Sequence, residues 1–207
     1  MCRAGSIALI QTENQEIETM RKLIVSEFVT LDGVMQAPGG QDEDREGGFE
    51  HGGWVVPLFD EGVGAYFGEV LKDGDTILLG RKTYVGHAQA FEPNPAEDPF
   101  VGMKKYVVTQ TLTESLWRDT EFIRDNVIES IRALKAQPGK NILTDGSCQL
   151  VHTLLEHDLV DEIYLLIFPV VVGGGKRVFP NGLHRSFHLI DAKTTPNGIV
   201  IARYARS

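Results

Sequence analysis

The chain has 207 residues, 42% of them hydrophobic and 24% charged, with a formal net charge of −9 and 22 glycines against the roughly 7% of an average protein. This length suits one domain with a substantial core that needs no disulfide or metal staple. A pI near 5.1 without a basic stripe excludes a nucleic-acid binder, no apolar run reaches the roughly 20 residues of a membrane span, and Cys2 and Cys148 make no metal or disulfide framework. The expectation is a cytoplasmic, reduced protein with Cys148 as a small core residue.

Residues 1–20 read as a disordered N-terminal extension, and residues 21–207 as the folded domain. Residues 22–29 (KLIVSEFV) are β-rich and form the first expected strand. A loop over 30–56 follows, where both compositional excesses concentrate: residues 41–61 hold seven acids against Arg45, a net of −6, and ten glycines lie between Gly33 and Gly68. Its acids lack the spacing of a calcium loop, and its glycines suit a mobile lid. Pro57 suits the first position of a helix carrying Leu58, Val63, Tyr66, Phe67, Val70 and Leu71 at helical spacing.

Residues 75–79 (DTILL) form a buried strand, 81–88 start a helix, 91–102 form a proline-rich loop, and 105–109 and 120–123 form strands. Residues 126–136 form an amphipathic helix stopped by Gln137-Pro138-Gly139, followed by a strand at 141–144 and a helix at 147–157. The apolar run 162–172 is a strand interrupted by Pro169, and 187–193 and 199–204 pair across Pro196-Asn197-Gly198. Strands alternating with helices and ending in an antiparallel hairpin define an α/β domain, with a mixed sheet and helices on both faces.

Two strand-to-helix crossings carry chemistry. In Leu78-Leu79-Gly80-Arg81-Lys82-Thr83-Tyr84, a glycine closes a strand and the next helix opens with two cations and a hydroxyl. Cations at a helix N-terminus oppose the helix dipole unless an anion compensates, so this crossing suits a phosphate. Leu143-Thr144-Asp145-Gly146-Ser147-Cys148-Gln149 repeats the arrangement, and a dinucleotide has phosphates for both. Neither a P-loop nor a GxGxxG fingerprint is present; Val172-Gly173-Gly174-Gly175-Lys176 lacks the leading glycine and the following Ser or Thr. The six histidines show no ligand spacing, no metal site is expected, and structural or surface roles suit them. Asp32, in Thr30-Leu31-Asp32-Gly33, is either a site residue at a strand end or an Asx-turn residue feeding Gly33. Trp54 is either a ring to stack on a planar ligand or a core anchor.

In this order, the motifs Thr30–Gly33, Leu79–Tyr84, Tyr106–Thr109 and Gly146-Ser147, with Leu159–Glu162, Pro169 and Gly173–Gly175, resemble the reductase domain of the riboflavin biosynthesis deaminase/reductase. The resemblance runs from about Arg21 to Tyr204 and is to a stand-alone member of that family, within the dihydrofolate reductase superfamily. It implies a dihydrofolate reductase-like, mostly parallel sheet, NADPH as hydride donor, a small heterocyclic substrate and a homodimer. Carried over by position, Gly80, Arg81, Lys82 and Thr83 would hold adenosine-side phosphates, with Thr109 near the adenine ribose. Gly146, Ser147 and Gln149 would lie near the pyrophosphate. Asp32 would act on the substrate as the catalytic residue, with Trp54, Phe59 and Asp60 as substrate-binding candidates.

Three departures bear on the acceptor. After Trp54-Val55-Val56-Pro57 the slot of the pterin-binding acid holds Phe59, and Asp60 falls one residue late, a turn of about 100° on a helix. The arginine that follows an Asp-Pro in pyrimidine reductases is missing after Asp98-Pro99. Asp145 replaces the first glycine of a Gly-Gly pair. The resulting expectation is reduction of 5-amino-6-(5-phosphoribosylamino)uracil, with dihydrofolate or pterin reduction and a non-catalytic NADPH-binding module as alternatives.

Overall fold

The computed structural model describes residues 20–207; the N-terminal extension expected over 1–20 therefore lies, but for Met20, outside the described residues. Eight strands form one sheet in the order β4-β3-β2-β5-β1-β6-β8-β7. These are β1 (Leu23–Thr30), β2 (Gly74–Gly80), β3 (Lys104–Val108), β4 (Thr120–Ile123), β5 (Asn141–Thr144), β6 (Glu162–Phe168), β7 (Phe187–Thr194) and β8 (Val200–Arg206). Strands β1 to β6 pair in parallel, while β8 runs antiparallel to both β6 and β7.

Four helices cover the sheet: α1 (Glu61–Lys72), α2 (Arg81–Phe91), α3 (Val127–Lys135) and α4 (Cys148–Glu156). Period-2 alternation divides the sheet side chains between two cores. Ile24, Ile77, Leu79 and Leu143 pack with Val63, Tyr66 and Val70 of α1 and Tyr84 and Ala88 of α2. Leu23, Val25, Leu78 and Ile142 pack on the other face with Ile131 and Leu134 of α3 and Leu150, Val151, Leu154 and Leu155 of α4. Central strand β1 is buried on both faces because helices cover both.

Two element boundaries differ from the sequence expectation. Helix α1 starts at Glu61, not Pro57: Asp60 stays extended and its carboxylate accepts from the Val63 N–H at 3.1 Å, while the preceding residues close turns such as Leu58 N–H to Val55 C=O. The long apolar strand stops at Phe168, because Pro169 has no N–H for the ladder and the chain turns so that Val170 C=O accepts from Leu31. The C-terminal hairpin forms as expected, with Gly198 at φ +79° in its turn. Among the described residues, no helix is long and apolar enough to cross a membrane.

Candidate active site

A cleft of about 1440 Å³ opens at the carboxyl ends of β1, β2, β3 and β5, where open α/β sheets bind ligands. Gly80, Arg81, Lys82, Thr83, Thr109, Gly146, Ser147 and Gln149, eight residues from three separate stretches of sequence, all line it. The two glycine crossings meet there: Gly80 N–H donates to Gly146 C=O at 3.2 Å, and Gly146 has φ +130°. A Cβ on Gly80 would lie 2.0 Å from Ser147 Oγ, and one on Gly146 would lie 2.7 Å from Thr83 Oγ1. Only glycine permits this approach.

The helix starts at these crossings differ from that of α1. Asp60 caps α1, whereas neither Gly80 before α2 nor Ser147 before α4 makes a side-chain cap, and neither first turn holds an acid. Their free N–H groups and dipoles favour an anion, and Arg81 and Lys82 add charge. Thr109 is buried, and its hydroxyl accepts from the N–H groups of Thr111 and Leu112 at 3.2 Å, leaving its proton to donate.

The glycine-rich loop forms one wall of the cleft through residues 35–40, 42–44 and Glu46. Its acids meet cations rather than solvent alone: Lys82 Nζ lies 2.7 Å from Glu46, and Lys176 Nζ lies 2.5 Å from both Asp44 and Glu46. Hydrogen bonds from Lys176 and Lys82 hold the Glu46 carboxyl down to about 2. Lys176 is a cleft residue that sequence reasoning set aside with the failed phosphate-loop pattern.

The four substrate-side candidates do not line this cleft. Asp32 accepts from Thr30 Oγ1 at 2.6 Å, Gly173 N–H at 2.9 Å and Val172 N–H at 3.3 Å. The Thr30 hydroxyl first, and then those backbone N–H groups, hold its carboxyl below the usual range. Asp32 thus joins β1 to the 172–175 loop as a turn residue beside the cleft rather than in its lining. Trp54 is the core anchor of the two readings: it is 6% exposed, donates to Gln36 C=O at 2.9 Å and meets Phe168 edge-on at 5.5 Å. Phe59 is half exposed in the turn before α1, and both Asp60 oxygens are engaged, by the N–H groups of Val63 and Asn197.

Ser26, Glu27 and Phe28 of β1, Phe67 of α1, His87 and Phe91 of α2, and Asp145 line the cleft instead. Ser26 and Glu27 had a readable signal, two polar residues inside an otherwise apolar central strand. Burial, with the Asp145 charge adding to it, pushes the Glu27 carboxyl well above the ordinary glutamate value and favours its protonated form. Burial works against a charged His87, but the Asp145 charge and hydrogen bond more than offset it, and His87 titrates above its ordinary value. Burial pushes the Cys148 thiol up to about 11, which leaves it inert.

The sheet order and the cleft define a dihydrofolate reductase-like fold. Dihydrofolate reductase from Enterococcus faecalis, solved with NADP(H) and RAB-propyl, superposes with a TM-score of 0.60 at 14% identity over 90% of this chain and 96% of its own. The Thermotoga maritima diaminohydroxyphosphoribosylaminopyrimidine deaminase/5-amino-6-(5-phosphoribosylamino)uracil reductase gives 0.64 at 14% identity, covering 92% of this chain and 58% of that one. Residues 21–201 match the RibD C-terminal domain, and the chain belongs to that family. The uncharacterized protein YyaP of Bacillus subtilis (strain 168) is 33% identical over 190 residues, 87% of this chain and 92% of YyaP.

Proposed function

We propose that the protein is an NADPH-dependent reductase of a planar heterocycle, with 5-amino-6-(5-phosphoribosylamino)uracil, the pyrimidine of riboflavin synthesis, as its nearest acceptor. The observation that carries this reading is the convergence of two uncapped helix N-termini on one cleft, beside two glycines that admit no side chain. Arg81, Lys82 and Thr83 would hold the 2′-phosphate side of the cofactor, and Gly146, Ser147 and Gln149 its pyrophosphate. Bound NADPH supplies the hydride; the protein positions the acceptor ring and keeps water away. The Enterococcus enzyme of the same fold, solved with NADP(H), supports the choice of cofactor. The engagement of Asp60 as a helix cap leaves no carboxylate on α1 facing the cleft, so a pterin acceptor would have to find its acid on another element. The reading includes a cytoplasmic homodimer, for which Leu189 and Ile190, exposed on the outer strand β7, are a candidate surface.

Calorimetric titration with NADPH, followed by loss of reduced-nicotinamide absorbance with the riboflavin pyrimidine or dihydrofolate as acceptor, tests this function. NADPH binding with pyrimidine-dependent oxidation is the expected result. No binding at millimolar NADPH would retire the reading. Binding without turnover on any acceptor would leave the non-catalytic module in its place.

A further inference from the structure

The face of the cleft toward α1 and α2 has aromatic walls and an unsatisfied polar floor. Phe28, Phe67 and Phe91 belong to the core on that side and line the cleft, flat surfaces for a ring. The floor lies where β1 and β5 leave their parallel register: Val25 pairs with Thr144, Ser26 follows in β1, and Asp145 is the first residue beyond the end of β5. Neighbouring β2 brings α2 to the same place, so His87 reaches Asp145, with His87 Nε2 2.9 Å from Asp145 Oδ2. The other oxygen, Asp145 Oδ1, is buried without a partner among the described residues, and so is Oγ of Ser26, a residue only 6% exposed. Glu27 Oε1, on the residue after Ser26, is likewise buried without a partner among the described residues; buried polar groups are almost always paired, so three such atoms at one ligand-sized cleft point to a ligand.

We propose that Asp145, aligned by His87 and seconded by Ser26, selects the ring to be reduced. The acceptor class is a planar heterocycle without charge on its ring, which turns an N–H edge, ring or exocyclic, toward Asp145. This deepens the function proposed above and rests on its placing of the acceptor in this cleft. An ionised carboxylate only accepts hydrogen bonds, so Asp145 Oδ1 requires a donor, while Ser26 Oγ can give or take one. A carboxylate-bearing ring is rejected, because it would bring two negative charges together out of water. His87 fixes which Asp145 oxygen faces the ligand, and it also balances the charge of an acid that stands one residue from the phosphate-binding glycine Gly146.

The test uses 5,6-diaminouracil as the donor-edged ring and orotate as the anionic ring, titrated into the full chain with and without NADPH. Wild type should bind 5,6-diaminouracil and not orotate. Asp145→Asn should weaken 5,6-diaminouracil by about tenfold or more, and Ser26→Ala by about three- to tenfold. NADPH affinity should stay within about twofold in Ser26→Ala, whereas Asp145→Asn, which removes a negative charge one residue from Gly146, should bind NADPH no more weakly than wild type. Wild-type affinity for 5,6-diaminouracil in folded Asp145→Asn, or orotate binding as tightly as the diaminouracil, would overturn the proposal, as would no diaminouracil binding by wild type. Where Asp145→Asn fails to fold, Ser26→Ala decides: unchanged affinity overturns the proposal. NADPH failing to bind any form would retire the reductase reading alone, since titration of the diaminouracil into cofactor-free protein still decides this one.

Discussion

Gly80 and Ser147, ends of two strand-to-helix crossings 67 residues apart in sequence, touch so closely that a Cβ on Gly80 would stand 2.0 Å from Ser147 Oγ and 3.0 Å from its backbone nitrogen. The contact joins the starts of α2 and α4 into one anion cradle. Gly80→Ala forces them apart, with an expected loss of about 1–3 kcal/mol of stability from overpacking. NADPH affinity should fall as well. Denaturant unfolding and calorimetry check both; a variant equal to wild type in both would contradict the shared cradle.

Arg81 lies at the first turn of α2, exposed and without a hydrogen bond to its guanidinium among the described residues. As the reader of a 2′-phosphate, it should contribute one or two charge-assisted hydrogen bonds to NADPH and none to NADH. Arg81→Ala should therefore weaken NADPH by about 10- to 100-fold while NADH changes little. Equal losses for the two cofactors would remove the 2′-phosphate assignment.

These crossings were readable in the sequence because their signals are local: a strand, a glycine and a helix start within seven residues, with cations where the dipole disfavours them. The alternation of strands and helices, and the hairpin at Pro196-Asn197-Gly198, were readable for the same reason. The acceptor side was not. His87 and Asp145 are 58 residues apart and meet only because β5 inserts between β2 and β1, an order that no local pattern encodes. Trp54 and Asp60 are the opposite case: both sit in a short motif with partners nearby, but each also contacts a residue more than 100 positions away, Phe168 and Asn197, that no local pattern shows.

Glu27 couples stability to pH. Its folded carboxyl titrates well above the 4.5 of an ordinary glutamate, so between those values the folded state holds a proton that the unfolded state has released. Its contribution to stability is fully present below the ordinary value and declines as pH rises toward the raised one. Wild type should therefore lose stability relative to Glu27→Gln as pH rises above the ordinary glutamate value, by at most about 1.4 kcal/mol per pH unit. Parallel unfolding curves of the two proteins at each pH check the sign; a gap independent of pH would mean an ionised Glu27.

Glu46 competes for the cofactor's cations. It lies 2.7 Å from Lys82 Nζ and 2.5 Å from Lys176 Nζ, and with its carboxyl held at about 2 it stays charged at any working pH. Glu46→Gln should free Lys82 and tighten NADPH by about two- to fivefold at low salt, with the advantage fading as salt screens it. Titrations at two ionic strengths decide this; weaker binding would mean that Glu46 organises the site.

The Asp60 carboxylate both starts α1, through Val63, and clasps the hairpin turn, through Asn197 N–H at 2.9 Å; Asn197 in turn donates to Leu58 C=O at 3.0 Å. Helix α1 carries Phe67, a wall of the acceptor side of the cleft. The span between the aromatic walls is therefore registered against a surface turn near the far end of the chain, away from any reacting atom. Drift in the length or sequence of that turn is a route by which homologues could acquire larger or smaller acceptors with every cleft residue unchanged, and a library confined to residues 195–198 would explore ring size without touching the chemistry.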